Sequence, residues 1–508
     1  MVQRSQRSWS WRRVLALALP ALALPTAGCV QEADENPLAS GGPVGDRAER
    51  DDLDSGGSGT PVSPNDLDAL VAAAIDDVEA YWTETYPEVY DGPFEPLAGG
   101  YHPYGPTTEM PTCGPVPVTY EEIAGNAFYC PSEDLIAWDQ ATLIPEINET
   151  FGGFTVGIVF AHEFAHAIQA RAGVTGPRTI DLELQADCYA GAWTAHVADG
   201  GSDTFEVTDR ELDSSVAGMV AIRDVPGTDP GDPSAHGSGF DRITAFQEGY
   251  ESGPQHCADY EDSPRQTVQI PFTDADLTSA NPGNLQPEDF GPGCPADLDE
   301  RIISGRFESG EADDCGLASR LEADLNVNYT SLLEELGEEW TPIEDLVLVD
   351  PAGDEVMCGG DTLSGDGLRN AALYCEDENI VVIDGAGLTP ELYGIGDFAF
   401  GAEVARLWAI AAQAQLGLEG EGVDDSLQAD CLTGVYTRSI IPDPATDEPD
   451  SQILRISPGD LDEGIQGFIA YGDALLGETG TAFERTDALR TGVVDGLEGC
   501  ERDYGELA

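Results

Sequence analysis

The strongest constraint on this chain is that much of it is written twice. Cys113 and Cys130 stand 17 residues apart, as do Cys358 and Cys375; Cys188 and Cys257 stand 69 apart, as do Cys431 and Cys500. FYCPSEDLIAWD (128–139) aligns without a gap with LYCEDENIVVID (373–384), and LQADCYAGAW (184–193) with LQADCLTGVY (427–436). Arg242 and Arg485 each sit 15 residues before the closing cysteine of their copy. So many spacings matched in one order mark an internal repeat, with units over 65–264 and 317–508. A chain of 508 residues is also too long for one ordinary core, so two units are the natural expectation.

Each unit opens on an amphipathic helix. In the first, Leu67, Leu70, Val71, Ala74, Ile75, Val78, Tyr81 and Trp82 recur at helical spacing after Pro64-Asn65. A hairpin-like pair of apolar runs surrounds Cys130 and Trp138. Helices are expected over 154–172, ended by Gly173, and over 180–198. The expected fold is α+β: mostly helical units in tandem, with a small sheet beside the helix of 154–172. Residues 265–316, rich in Pro, Asp and Gly, read as a linker.

The N-terminus follows another logic. Arg4, Arg7, Arg12 and Arg13 precede an apolar run from Val14 to Leu24, which ends in Pro25-Thr26-Ala27-Gly28-Cys29. A charged start, an apolar stretch too short to span a bilayer and small residues before a cut site make residues 1–28 a secretory signal. Cys29 directly after Ala-Gly resembles a bacterial lipobox, although Thr26 stands where that motif prefers Leu. Cys29 would then carry lipid, anchoring the chain on the outer face of the cytoplasmic membrane, in the cell envelope. Arg12-Arg13 leaves a twin-arginine export route open beside the general one. Residues 29–64 hold little to bury and read as a flexible acidic tether.

Export agrees with the cysteine count. Setting Cys29 aside leaves ten of eleven. The repeat spacings suggest disulfides Cys113–Cys130, Cys188–Cys257, Cys358–Cys375 and Cys431–Cys500, with Cys294–Cys315 by remainder. A metal role for Cys188, next to Asp187, competes with this pairing. Its counterpart Cys431 persists in a copy without histidine, which favours the disulfide. The charge balance is extreme: 96 acidic residues against 22 basic ones, all of them Arg. Such a surface repels nucleic acid and acidic lipid, which argues against both as partners. It fits a saline habitat; attraction of cationic substrates is the functional alternative.

The chemistry lies in GIVFAHEFAHAIQAR (157–171). His162 and His166, four apart on a helix, share one face and can reach one ion, while Glu163 is one step around and can touch a water there. Catalytic zinc takes a third protein ligand and keeps an open position. Glu183, 21 residues after His162, is placed to supply it from the next helix. Asp187 shares Glu183's face and can accept from the non-liganding nitrogen of a zinc-bound His. A solvated helix face is the bland reading of both acids. Two imidazoles and a carboxylate suit zinc better than calcium or magnesium.

HEFAHAIQ followed by ELQADCYAGAW resembles the bacterial neutral zinc metallopeptidase family, and more distantly the zincins with a Glu third ligand. The likeness covers about 65–260, and ELQADCYAG is its most specific part; Ala165 stands where members often have Gly. The resemblance implies Zn2+ held by His162, His166 and Glu183, Glu163 as general base, and a protein or peptide substrate. His236, in a Gly/Pro-rich loop, is the candidate oxyanion donor, with Tyr189 a weaker one; His102, His196 and His256 have no recognisable partner spacing. Two rivals stand beside the peptidase: a non-catalytic envelope binding protein with structural zinc or none, and a zinc amidase acting on peptidoglycan peptides.

All six histidines precede residue 257. The second copy keeps Glu403 and Asp430 but has Ala402, Arg406 and Ser426 where the ligands would stand, so it cannot hold catalytic zinc. It is expected to pack against the first unit or to present a surface to substrate or partner, with Arg406 paired to Glu403 or Asp430.

Overall fold

The computed structural model describes residues 66–272 and 316–507, apart from residue 116 and the short stretches 419–421, 444–445, 447–448, 452 and 476–478. The expected signal segment and tether, Cys29 and the expected Cys294–Cys315 pair lie outside the described residues. The fold is α+β and mostly helical. Helix α1 (Leu67–Val89) starts where the Asp66 carboxylate accepts from the Ala69 N–H, and its expected apolar stripe is buried from Leu70 onward, with Leu67 partly covered. Strand β1 (Gly100–Tyr104), the short helix α2 (Tyr120–Ile123) and strands β2 (Ala127–Cys130) and β3 (Leu135–Asp139) follow. The β2–β3 pair is the expected hairpin, antiparallel with Cys130 opposite Leu135 and Asp134 at φ 54° in the turn. Strand β1 was not anticipated; it joins β3 in parallel and gives the order β1-β3-β2.

Helix α3 (Leu143–Phe151) leads to α4 (Gly153–Ala172), which ends on the left-handed Gly173, φ 75°, and then to α5 (Thr179–Ala198). Both long helices fall within a residue of the expected bounds. Helix α4 is buried on nearly every side, because β2, α1, α3, α5 and α6 (Asp209–Ala221) pack around it. Helix α7 (Gly239–Asp259) lies against α5 and is kinked at Gly253, φ 78°. The approach is so close that a Cβ on Gly191 would run into the Phe246 carbonyl, and one on Gly249 into the Cys188 carbonyl. The Cys188–Cys257 disulfide ties the same two helices. Closing a 69-residue loop is worth about 4 kcal/mol in the chain-entropy account.

The second half runs through a similar order: α8 (Leu317–Leu336), β4 (Asp345–Val349), a hairpin β5 (Glu355–Cys358) and β6 (Asp361–Ser364), then β7 (Ala372–Cys375) and β8 (Ile380–Asp384). Its sheet, ordered β4-β8-β7, repeats the parallel and antiparallel pairing of the first. Helices α9 (Leu388–Ile395), α10 (Asp397–Leu416), α11 (Val423–Ile440), α12 (Asp460–Leu475), α13 (Ala482–Asp495) and α14 (Leu497–Tyr504) complete it. The break between α13 and α14 falls at Gly496, φ 69°, as the kink in α7 falls at Gly253. Gly434 and Gly492 let α11 and α13 meet as Gly191 and Gly249 do for α5 and α7. Disulfides join Cys113 to Cys130, Cys358 to Cys375 and Cys431 to Cys500 as well.

The two halves share one hydrophobic core, closed by α12 and α13 against α6 and α7. Residues 265–272, expected to begin the linker, are held against the first half: the Val268 N–H donates to Asp241, and Arg265 pairs with Glu248. Among the described residues no helix is long and apolar enough to cross a membrane.

Candidate metal centre

Helix α4 presents His162 and His166 one turn apart, and α5 crosses it so that Glu183 reaches both. His162 Nε2 lies 3.2 Å from His166 Nε2 and 3.2 Å from Glu183 Oε2, and His166 Nε2 lies 3.5 Å from the same oxygen. All three residues are buried, Glu183 to 1% exposure. Zinc bonds of about 2.0–2.1 Å at tetrahedral angles separate ligand atoms by about 3.3–3.4 Å, so the donor set fits such an ion. It also needs a cation: a carboxylate buried among imidazoles is stable only with a proton or a metal among them.

Each imidazole is turned by a neighbour. The His162 Nδ1–H donates to Asp187 Oδ1 at 2.8 Å, and the His166 Nδ1–H to Gln169 Oε1 at 2.9 Å, which turns both Nε2 atoms toward Glu183. Asp187 is held in turn by Arg242 of α7, whose Nε and Nη2 donate to its two oxygens at 2.9 Å. Gln169 is fixed by donating to the Leu182 carbonyl and to Gln185. Sequence reasoning placed Asp187 but missed Gln169, although it stands one turn beyond His166 toward the C-terminus.

The charges follow from this packing. Burial opposes ionisation of Glu183, yet His166 and His162, with His236 farther off, hold its carboxyl well below the usual range. Burial likewise opposes charge on His166, but Glu183 more than offsets it, and the pKa is pushed up to about 9. For Asp187 burial is outweighed by Arg242 and His162, and its pKa falls. Glu163 is different. Burial raises its pKa; the Tyr129 backbone N–H of β2 donates to its carboxylate, while Oε2 is buried without a hydrogen-bond partner.

His236, in its Gly/Pro-rich loop, is buried. Asp224 accepts from the backbone N–H groups of His236 and Gly237 at 2.9 Å and lies 3.3 Å from His236 Nδ1. Tyr189 is drawn away from the centre: its hydroxyl pairs with Tyr90 at 2.5 Å and its ring meets Trp82 edge-on. His102 bonds the Gly99 carbonyl, His196 packs on Tyr81, and the more exposed His256 packs on Tyr260. Cys188 is bonded to Cys257, which removes it as a ligand.

In the second half Arg406 occupies the place corresponding to His166. Its Nε donates to Asp430 at 2.6 Å and its Nη2 to Ser426 Oγ at 2.6 Å, while Arg485 holds Asp430 from the far side. Of the two partners expected for Arg406, the contact is with Asp430; Glu403 Oε1 is buried without a hydrogen-bond partner.

Known proteins resemble only part of this chain. It is 27% identical over 214 residues to the uncharacterized proteins Rv2575 of Mycobacterium tuberculosis and Mb2605 of Mycobacterium bovis, covering 37% of this chain and 69% of each relative. It is 26% identical over 153 residues to the uncharacterized protein YpfJ of Escherichia coli, covering 26% of this chain and 52% of that one. No solved structure matches the chain significantly. Residues 110–260, which hold every residue of the centre, match the model of a family described as "Putative neutral zinc metallopeptidase".

Proposed function

We propose that the chain is a zinc metallopeptidase that hydrolyses peptide bonds of protein or peptide substrates, with His162, His166 and Glu183 as ligands and Glu163 as general base. The second half is read as an inactive copy. One observation carries the proposal: three donor atoms at tetrahedral spacing stand beside a carboxylate whose Oε2 has no partner. The family matched over 110–260 supports the same reading. Disulfides fit an oxidising compartment, in line with export and a lipid anchor at Cys29 on the outer face of the membrane.

Zinc, when bound, supplies Lewis acidity toward a water molecule and a peptide carbonyl. Asp187 and Gln169 keep the imidazoles turned with Nε2 inward. Glu163, steadied by the Tyr129 N–H, takes a proton from water at its unpartnered oxygen and returns it to the leaving amine. Burial raises its pKa above the usual carboxylate value, which strengthens it as a base. His236, oriented by Asp224, donates to the oxygen that gains charge as the carbonyl is attacked.

The test is elemental analysis and casein hydrolysis on the purified chain. Glu163→Gln is expected to keep its zinc and lose about 10²- to 10⁴-fold in rate, and His162→Ala to lose the metal. Wild-type protein without zinc, or a Glu163→Gln variant as active as wild type, would refute the proposal.

A further inference from the structure

The reciprocal way in which the halves grip each other gives the second one a task. Asp462, near the start of α12 in the second half, is 2% exposed. Its Oδ1 accepts from the Phe240 N–H at 2.8 Å, it also bonds the Gly239 N–H, and its Oδ2 lies 2.9 Å from Arg223 Nε. Gly239 and Phe240 are the first two residues of α7, and the first amides of a helix have no partner within it. Ser238 caps the next amide, that of Asp241, from within the first half. A carboxylate from the other half therefore completes the start of α7, where the helix dipole favours negative charge.

Two routes lead from that contact to the metal centre. Arg242, two residues beyond Phe240, holds Asp187, and Asp187 holds His162. Arg223 precedes Asp224, which binds the backbone of His236. Asp462 thus grips both ends of the 223–240 loop that bears His236.

The opposite contact is built alike. Asp213 of α6 accepts from the Phe483 N–H at 2.9 Å, and Phe483 is the second residue of α13 as Phe240 is of α7. Gln247 reaches across to the Phe483 carbonyl, and Arg490 to Glu251. Each half thus seats the other's helix, as in a two-fold interface between subunits. The route beginning at Asp213 ends at Arg485, Asp430 and Arg406, where there is no imidazole.

We propose that the second half is a built-in partner that positions the metal-binding half, with Asp462 the positioning residue through which it acts. The proposal rests on the metal-site reading above, and Asp213 provides a matched control. Zinc affinity, by competition with a chromogenic chelator, and hydrogen exchange, by mass spectrometry, are measured on the full chain. Asp462→Ala is expected to bind zinc about 3- to 10-fold more weakly, less than loss of a direct ligand partner would cost. Exchange should quicken at 238–246 and at 184–190 around Asp187, with Asp462→Asn intermediate. Asp213→Ala should quicken exchange only in the second half and leave zinc affinity within about twofold of wild type. Wild type that takes up no zinc defeats the metal-site reading, and exchange at 184–190 then decides the positioning role alone. If that segment is unchanged in Asp462→Ala, or if both alanine variants behave alike, the positioning role is overturned. Should the alanine chain fail to fold, the isosteric Asp462→Asn carries the comparison.

Discussion

Asp187→Asn separates metal holding from structural support. The Asp187 carboxylate lies between the His162 Nδ1–H at 2.8 Å and two Arg242 donors at 2.9 Å, fully buried. Asparagine keeps the shape, removes the charge and sets an amide NH2 against a donor on one side or the other. Leaving the buried Arg242 without its counter-charge costs about 3–5 kcal/mol of stability. Loosening the tautomer and aim of His162 costs a further 10- to 100-fold in zinc affinity, about 1.4–2.7 kcal/mol. Asp430→Asn is the internal standard, because Asp430 is buried and meets Arg485 at 2.8 Å and Arg406 at 2.6 Å with no imidazole near. It should lose similar stability and leave zinc binding unchanged. Urea unfolding in chelator and zinc competition on folded protein read the two effects separately. Equal loss of zinc in both variants, or wild-type affinity in Asp187→Asn, would refute the reasoning.

Two further outcomes are expected. Gly249→Ala and Gly492→Ala each force a methyl group into a carbonyl of the facing helix, so each should cost about 1–3 kcal/mol or more in chemical denaturation; Gly353→Ala, where a Cβ meets nothing, should be far milder. Burial and mutual repulsion among Asp397, Asp460 and Glu463 raise the pKa values of Asp460 and Glu463 well above the carboxylate range. The folded state therefore binds more protons than the unfolded one above about pH 4. The stabilisation is fully present below that pH and fades as pH rises through the raised folded-state values. Thermal midpoints of Asp460→Asn measured from pH 5 to 8 should fall less steeply than those of wild type; parallel curves would refute the assignment.

How much could be read from residues alone varied with how local the cause was. Helices α4 and α5 were legible because Gly173 ends one and burial dominates both; the His162–His166 pair followed from helical geometry, and Glu183 from its spacing to the next helix and the family resemblance. The Asp187 partner was legible for the same reason. Strand β1 was not, because its pairing partner is β3, more than thirty positions on, and nothing within Gly100–Tyr104 announces it. The burial of His236 was not legible, since nothing in its Gly- and Pro-rich loop shows that Asp224 gathers its backbone and ring. The cross-half grip of Asp462 had no local signature at all, because its partners lie more than 200 positions away. The glycine approach of α5 to α7 was equally silent, since a glycine in a helix announces nothing about its neighbour.

Arg406 carries a consequence for life in metal-poor surroundings. A guanidinium fixed by a covalent stem neither dissociates nor exchanges with copper or nickel, and no scavenging chelator can remove it. The half that holds it keeps its shape however scarce zinc becomes. If the first half binds zinc as proposed, loss of the ion would leave it against a neighbour whose own site needs none.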